Sequence, residues 1–178
     1  IPMTKPFIIW TLQRTGGTNL TQRLVERAGL PVTEHEPLNR ERVHGWVTRR
    51  WLEDQDRQAL AEGMKQVCAA PSIMKHCVEM VPWEVTEALL HASVAAGFGH
   101  MFLYRKRPVD RLLSLHFARL SGMWGPGMAR AGDADAMYDE PLPVQALADH
   151  ERRCSWLLDR KSTRLNSSHE WISRMPSS

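Results

Sequence analysis

Hydrophobic and polar residues alternate along this chain in blocks that differ in length and in period. Three short apolar blocks, at 6–10, 72–75 and 101–104, have the length and composition of β-strands. Longer blocks, with apolar residues three to four positions apart, predict helices at 18–28, 53–67, 82–96, 108–121 and 144–158. Because the strands alternate with helices, the chain is predicted to form an α/β domain with a parallel sheet.

The pattern also predicts the structure of two stretches between these blocks. Residues 33–51 are polar and lack a clear period, so they are predicted to be irregular, and 123–143 are predicted to form a mobile loop. The block at 101–104 is hydrophobic throughout, which is typical of a parallel strand that is buried on both faces.

The composition changes at Lys161. The last 18 residues contain six serines and show neither a helical nor a strand period. This segment resembles the translated sequencing-adaptor ends that become fused to reading frames assembled from fragments, and a disordered tail is the alternative. We therefore predict a domain at 1–160, incomplete at its C-terminus, and a foreign or disordered tail at 161–178.

Charge and cysteine content argue against several classes of protein. The formal charge of +3 falls to +1 without residues 161–178, because three of the 23 basic and one of the 20 acidic residues lie there, so nucleic acid is not an indicated partner. No apolar stretch reaches the length of a membrane span.

The chain has three cysteines, Cys68, Cys77 and Cys154, which are odd in number and widely spaced. This pattern argues against disulfides and for a reducing, cytoplasmic compartment.

Residues 11–20 have the features of a phosphate-binding loop. They lie between a predicted strand and a predicted helix, and Gly16 and Gly17 let backbone N–H groups approach an anion closely. The helix that follows offers unpaired N–H groups and the positive end of its dipole. Charged and polar side chains are also at hand, namely Arg14, Thr15, Thr18 and Asn19.

This loop is not a Walker A motif, because Gly17 stands where that motif has its lysine. It resembles the 5′-phosphosulfate loop of sulfotransferases, in which a proline precedes a basic residue, a hydroxyl residue, glycine, a second hydroxyl residue and threonine. Gln13 replaces that proline, and Gly17 replaces the second hydroxyl residue. The resemblance implies a three-layer, P-loop-like fold. It assigns to the co-substrate 3′-phosphoadenosine 5′-phosphosulfate the residues Arg14, Thr15, Gly16, Gly17, Thr18 and Asn19.

A second basic segment begins where the strand at 101–104 ends. Ser114, in the helix that follows, lies nine residues after Arg105 and eight after Lys106. This order resembles the 3′-phosphate motif of the same family, in which trehalose-type bacterial enzymes have the longer spacing. Arg105 is the preferred candidate and Lys106 the alternative. Since α/β domains bind ligands at the carboxyl ends of parallel strands, both basic segments are predicted to contact the nucleotide.

The segment 33–39 follows the first helix and contains an acidic residue beside a histidine. It resembles a short segment near the active site of bacterial family members, where an acidic residue serves as base. Sulfuryl transfer to an alcohol requires removal of the hydroxyl proton by a carboxylate or imidazole within hydrogen-bond reach. Glu36 is the first candidate and His35 the second, while Asn39 occupies the place of the base in trehalose-type enzymes.

Other side chains are candidates for the acceptor side of the site. Lys75 and His76, after the second strand, are placed to reach the sulfate or the acceptor, and a lysine that only caps the strand end is an equal alternative. Trp46, Trp51 and Trp124 are candidates to line an acceptor cleft, with packing in the core as the default alternative.

The resemblance implies transfer of a sulfuryl group to a hydroxyl of a carbohydrate or other small acceptor. Arg14 would then neutralise charge on the departing phosphate. Nothing in the sequence requires a metal. The alternatives are a P-loop nucleotide-dependent kinase and an inactive truncated fragment, and the sequence leaves the acceptor and the oligomeric state open.

Overall fold

The computed structural model describes residues 5–30, 35–125, 128 and 141–157. The chain divides into two compact units, Ile1–Gly132 and Asp133–Ser178. In the second unit the described residues include one helix at 144–157, close to the predicted 144–158. The tail predicted at 161–178 and most of the loop predicted at 123–143 lie outside the described residues.

The first unit contains a parallel sheet. Its strands are β1 (Phe7–Thr11), β2 (Ile73–Cys77) and β3 (Gly99–Leu103), in the spatial order β2-β1-β3. The register pairs Thr11 with Cys77 on one side and with Leu103 on the other. The carboxyl ends of all three strands therefore meet at one edge of the sheet, and the predicted α/β fold with a parallel sheet is confirmed.

In the described part of the first unit, five helices follow the strands or connect them. They are α1 (Gly17–Ala28), α2 (Gly45–Asp54), α3 (Arg57–Val67), α4 (Trp83–Ala95) and α5 (Pro108–Ser121). The predicted stops at Gly29 and Gly122 are correct, and both glycines adopt the left-handed conformation that ends a helix. None of the described helices is long and apolar enough to cross a membrane.

The core is built on the two faces of β1. Phe7 and Ile9 pack with Ala28 of α1 on one face. Successive side chains of a strand alternate between faces, so Trp10 lies on the other, edge-on to His76. His76 is hydrogen-bonded to Thr86 Oγ1 of α4 at 2.9 Å. Helices thus cover both faces of the sheet, which gives the expected three layers.

The prediction that residues 33–51 are irregular is wrong for their last part, where α2 begins. Its buried residues, Val47, Thr48 and Trp51, do recur with helical spacing. Glycine is required at position 45, because a Cβ there would lie 2.3 Å from the carbonyl oxygens of Asn39 and Arg40. The helix therefore starts in close contact with the chain that precedes it, a tertiary constraint that periodicity does not reveal.

Two further expectations need correction. The helix predicted at 53–67 is divided, because Gln55 has a φ of 51° and Asp56 caps α3 by accepting from the backbone N–H groups of Gln58 and Ala59. Strand β3 is only half-buried, with Met101 38% exposed, and so is not buried on both faces. Its sequence resembles that of the buried strands, and β2, at the other edge of the described sheet, is buried throughout, so neither the apolar sequence nor the edge position alone decides burial.

Candidate functional site

The loop between β1 and α1 is held in an unusual backbone conformation. Gly16 has a φ of 87° and Arg14 has a φ of 64°, and only the first is free of the steric cost that a Cβ imposes. Glu36, across the site, also has a positive φ of 56°. Such strain costs about 1–3 kcal/mol per residue and persists where the surrounding structure holds it, often at functional sites.

Hydroxyl groups brace this loop from inside. Thr15 is buried, and its Oγ1 donates to the carbonyl oxygen of Leu12 at 2.8 Å. The Thr15 hydroxyl also contacts that of Thr11 at the end of β1. Thr18 and Asn19, by contrast, are exposed in the first turn of α1. The structure gives Thr15 a bracing role, and phosphate binding by its hydroxyl stays a prediction.

Arg14 joins the loop to the second predicted phosphate segment. Its Nε donates to Ser114 Oγ of α5 at 2.9 Å, and its Nη1 donates to the carbonyl oxygen of Trp124 at 2.7 Å. Arg105 and Lys106 are exposed, and within the described part of the chain no hydrogen bond or ion pair joins either side chain to the loop. The fold therefore brings Ser114, but not the two cations, into contact with Arg14.

Glu36 lies at the centre of a second group of side chains. Its Oε1 accepts from Lys75 Nζ at 2.7 Å and from Cys77 Sγ at 3.2 Å, both from β2. Its Oε2 accepts from Asn39 Nδ2 at 2.9 Å. The backbone N–H of Glu36 also donates to the carbonyl of Lys75 at 3.0 Å, which fixes this segment against the end of β2.

These contacts keep Glu36 ionised. Burial raises the pKa of its carboxyl group, but the hydrogen bond and charge of Lys75, with the hydrogen bonds from Cys77 and Asn39, together outweigh burial, and the pKa lies below its ordinary value. Burial, followed by the charge of Lys75, lowers the pKa of His35. His35 is therefore a neutral imidazole at neutral pH, and its Nδ1 has no hydrogen-bond partner among the described residues.

Lys75 connects Glu36 with the loop. Its Nζ lies 3.2 Å from Thr18 Oγ1 in the first turn of α1. A Cβ at position 17 would approach Lys75 Cδ to 3.1 Å and Thr11 Cγ2 to 3.3 Å. Glycine at this position, one of the two departures from the sulfotransferase pattern, therefore leaves room for the lysine of β2 beside the loop.

Gln13, the other departure from that pattern, also has a partner outside the loop. Its backbone N–H, which a proline would lack, donates to Glu79 Oε1 at 2.6 Å. Glu79 follows β2 by two residues. Burial raises the pKa of Glu79, although the bond from Gln13 opposes this. The loop is thus held by the Glu79 carboxyl group, which follows the neighbouring strand β2, and no local sequence pattern predicts this contact.

The remaining candidates lie elsewhere. His76 is buried in β2, and its bond to Thr86 places it on the sheet face opposite Lys75, so the prediction that it reaches the sulfate or acceptor is wrong. Trp51 is buried, and Trp46 packs within 3.2 Å of the position a Cβ would take on Gly63 of α3. The Trp46 indole therefore packs against α3, whereas Trp124 is exposed beside Arg14.

Comparison with known proteins gives limited information. No protein-family model and no curated protein matches the chain. Among solved structures, a gluconokinase from Sinorhizobium meliloti 1021 is similar, with a TM-score of 0.42 and 15% identity over 94% of this chain and 99% of that one. At this level of likeness the reaction has to be inferred from the side chains.

Proposed function

We propose that this protein transfers a sulfuryl group from 3′-phosphoadenosine 5′-phosphosulfate to a hydroxyl of a carbohydrate or other small acceptor. The hydrogen bond between Arg14 Nε and Ser114 Oγ carries the proposal. It joins two segments, 100 residues apart, that the resemblance to sulfotransferases assigns separately to the 5′ and the 3′ phosphate. A nucleotide with phosphate groups at both positions accounts for this convergence.

Binding in this proposal depends on the loop and on α1. The 5′-phosphosulfate group lies against the first turn of α1, where backbone N–H groups and the helix dipole favour an anion. Arg14 provides a cation with several donors, and Ser114 contributes a hydroxyl on the side of the 3′ phosphate. Catalysis would come mainly from positioning the reactants and from stabilising the charge that develops on the departing phosphate.

Glu36 is the proposed base. The acceptor oxygen attacks sulfur, the bond from sulfur to the bridging phosphate oxygen breaks, and the hydroxyl proton passes to the Glu36 carboxylate. The products are a sulfate ester and 3′-phosphoadenosine 5′-phosphate. Glu36 is suited to this role because it is ionised and lies, through Lys75, next to the first turn of α1. The acceptor and the cytoplasmic location stay predictions from the sequence.

Phosphoryl transfer is the second candidate, and two contacts favour it. Enzymes of the P-loop class place a lysine and an acidic residue beside the phosphate loop. Lys75 lies 3.2 Å from Thr18 Oγ1, and the Glu79 carboxyl group lies 2.6 Å from the backbone nitrogen of Gln13. A kinase of this kind would prefer ATP with Mg²⁺ and would not need a 3′ phosphate.

Calorimetric titration of the full chain separates the two candidates. We expect 3′-phosphoadenosine 5′-phosphate to bind at least about tenfold more tightly than ATP with Mg²⁺, equal to about 1.4 kcal/mol. The preference should weaken in Arg14→Ala and persist in Arg23→Ala, a matched control on the exposed face of α1. A preference for ATP would support the kinase, and binding of neither nucleotide would overturn both candidates.

A further inference from the structure

Lys75 is a buried cation that contacts both the Glu36 carboxylate and the first turn of α1. Its side chain is 7% exposed, and its Nζ lies 2.7 Å from Glu36 Oε1 and 3.2 Å from Thr18 Oγ1. A buried lysine needs compensation for the loss of water, and in this structure Glu36 supplies most of it. A ligand anion at the loop would therefore compete with Glu36 for the same ammonium group.

The path of the Lys75 side chain leads directly to the loop. Its Cδ passes beside Gly17, where a Cβ would come within 3.1 Å, and its ammonium group ends at the first turn of α1. An anion held by that turn and by Arg14 would lie within reach of Nζ, because Thr18 Oγ1 already does. The loop has glycine at position 17, where a Walker A motif has lysine, and Lys75 of β2 brings an ammonium group close to the same place.

Glu36 is poorly prepared to accept a proton while Lys75 holds it. Three donors, from Lys75, Cys77 and Asn39, occupy its two oxygens. The acceptor hydroxyl would have to displace one of them before proton transfer. Since Lys75 is both the strongest of these partners and the one nearest the loop, its departure from Glu36 would make the carboxylate available.

We propose that Lys75 binds the anionic group of the donor nucleotide and thereby releases Glu36, so that nucleotide binding activates the base. This coupling rests on the proposed function for the role of Glu36. It imposes an order on the reaction, in which the nucleotide binds first and the acceptor hydroxyl is deprotonated afterwards. It also restricts proton abstraction to complexes in which a donor is present.

The groups around Glu36 determine whether protons are taken up or released when the nucleotide binds. Lys75 and Cys77 face it from β2, Asn39 and His35 belong to its own segment, and the charge of Glu79 also acts in this region. Burial raises the pKa of Glu36, while the hydrogen bond and the charge of Lys75 are the largest influences that lower it, so the pKa rises when Lys75 moves away. Nucleotide binding should therefore be accompanied by proton uptake in weakly acidic solution.

Proton uptake can be measured by titrating the full chain with 3′-phosphoadenosine 5′-phosphate at about pH 5, near the ordinary carboxyl pKa of about 4.3. Two buffers with different ionisation enthalpies give the number of protons bound. Wild type should take up more protons than Glu36→Gln, in which that site cannot titrate, and equal uptake by the two proteins would overturn the coupling. If wild type does not bind the nucleotide at all, the proposed function itself fails.

Substitution of the lysine tests its contact with the anion. Lys75→Met should weaken nucleotide binding by about tenfold or more, the loss of one charge-assisted hydrogen bond, whereas Lys65→Met on exposed α3 should not. Unchanged affinity in folded Lys75→Met would overturn the proposal.

Glu36→Gln should bind the nucleotide at least as tightly as wild type, because Lys75 is no longer held by a carboxylate. Weaker nucleotide binding by Glu36→Gln would also count against the proposal. The comparison of wild type with Glu36→Gln decides the question even if Lys75→Met does not fold.

Discussion

Arg14 Nε donates a hydrogen bond to Ser114 Oγ at 2.9 Å, although Arg14 precedes α1 and Ser114 lies within α5. A second bond, from Nη1 to the carbonyl of Trp124, fixes the other side of the guanidinium group. Arg14 also has a left-handed backbone conformation, with a φ of 64°. The guanidinium group thus links the loop between β1 and α1 with the region around α5.

The link between Arg14 and Ser114 can be measured in a double-mutant cycle. Arg14→Ala should weaken binding of 3′-phosphoadenosine 5′-phosphate by about 1.5–3 kcal/mol, since a charge-assisted contact is lost. Ser114→Ala should weaken it less, and the double variant should lose less than the sum because the two groups act together. Calorimetric dissociation constants for the four proteins give the coupling energy. Strict additivity would argue against a shared phosphate site.

Gly17 is expected to be sensitive even to a single added methyl group. In Gly17→Ala the new Cβ would lie 3.1 Å from Lys75 Cδ and 3.3 Å from Thr11 Cγ2, so the lysine must move away from the loop. We expect nucleotide binding to weaken by about tenfold, with a smaller loss of stability. Gly99→Ala is the matched control, because a Cβ there meets Phe7 Cβ at an ordinary 3.5 Å. Equal affinity in both variants would contradict the packing of Lys75 against position 17.

Glu36 should affect the reaction more than binding. Glu36→Gln keeps the size of the side chain and an oxygen that can accept from Lys75, but it removes the basic carboxylate. We expect sulfuryl transfer to fall by about 100-fold or more, the usual contribution of a general base, without weaker nucleotide binding. Transfer of labelled sulfate and calorimetry report the two quantities separately. Full activity would move the base to His35.

The two half-buried carboxyl groups of Glu36 and Glu79 predict opposite effects of pH on stability. The pKa of Glu36 is lowered, so its ion pair contributes stability above the ordinary carboxyl pKa and loses it as pH falls through the lowered value. Burial raises the pKa of Glu79, so its ionisation costs stability as pH rises above the ordinary value.

Urea unfolding at pH values below and above the ordinary carboxyl pKa tests both predicted directions of the change in stability. Relative to wild type, Glu36→Gln should become less stable with rising pH, until Glu36 is fully ionised in both folded and unfolded chains. Glu79→Gln should become relatively more stable over the range in which folded Glu79 ionises. Parallel stability curves for wild type and the two variants would contradict the environments that the structure gives to these groups.

Gly45 provides a test of the fold independent of function. A Cβ at this position would lie 2.3 Å from two backbone carbonyl oxygens, which cannot move as a flexible side chain does. Gly45→Ala should therefore destabilise the protein by about 2–4 kcal/mol, in the upper range for single substitutions. Gly63→Ala should cost less, because the nearest atoms to its Cβ would be side-chain atoms of Trp46 and Val47, at 3.2–3.4 Å. The free energies of unfolding in urea compare the two.

Local sequence determined most of the secondary structure. The apolar blocks gave the three strands to within a few residues, and glycines placed the ends of α1 and α5. The loop at 11–17 was identifiable for the same reason, since strand, glycines and helix are neighbours in the chain. Local periodicity failed at α2, whose start depends on the close packing of Gly45 against the carbonyls of the preceding turn.

Tertiary structure decided which side chains meet in the candidate site. Sequence nominated Arg14, Ser114, Glu36 and Lys75, but the partners in each contact are 100 and 39 residues apart. Strand order placed β2 beside β1, and strand alternation then turned Lys75 toward the loop and His76 toward α4. Local patterns do not encode such pairings, because they arise only when separate strands are hydrogen-bonded in register and their carboxyl ends meet.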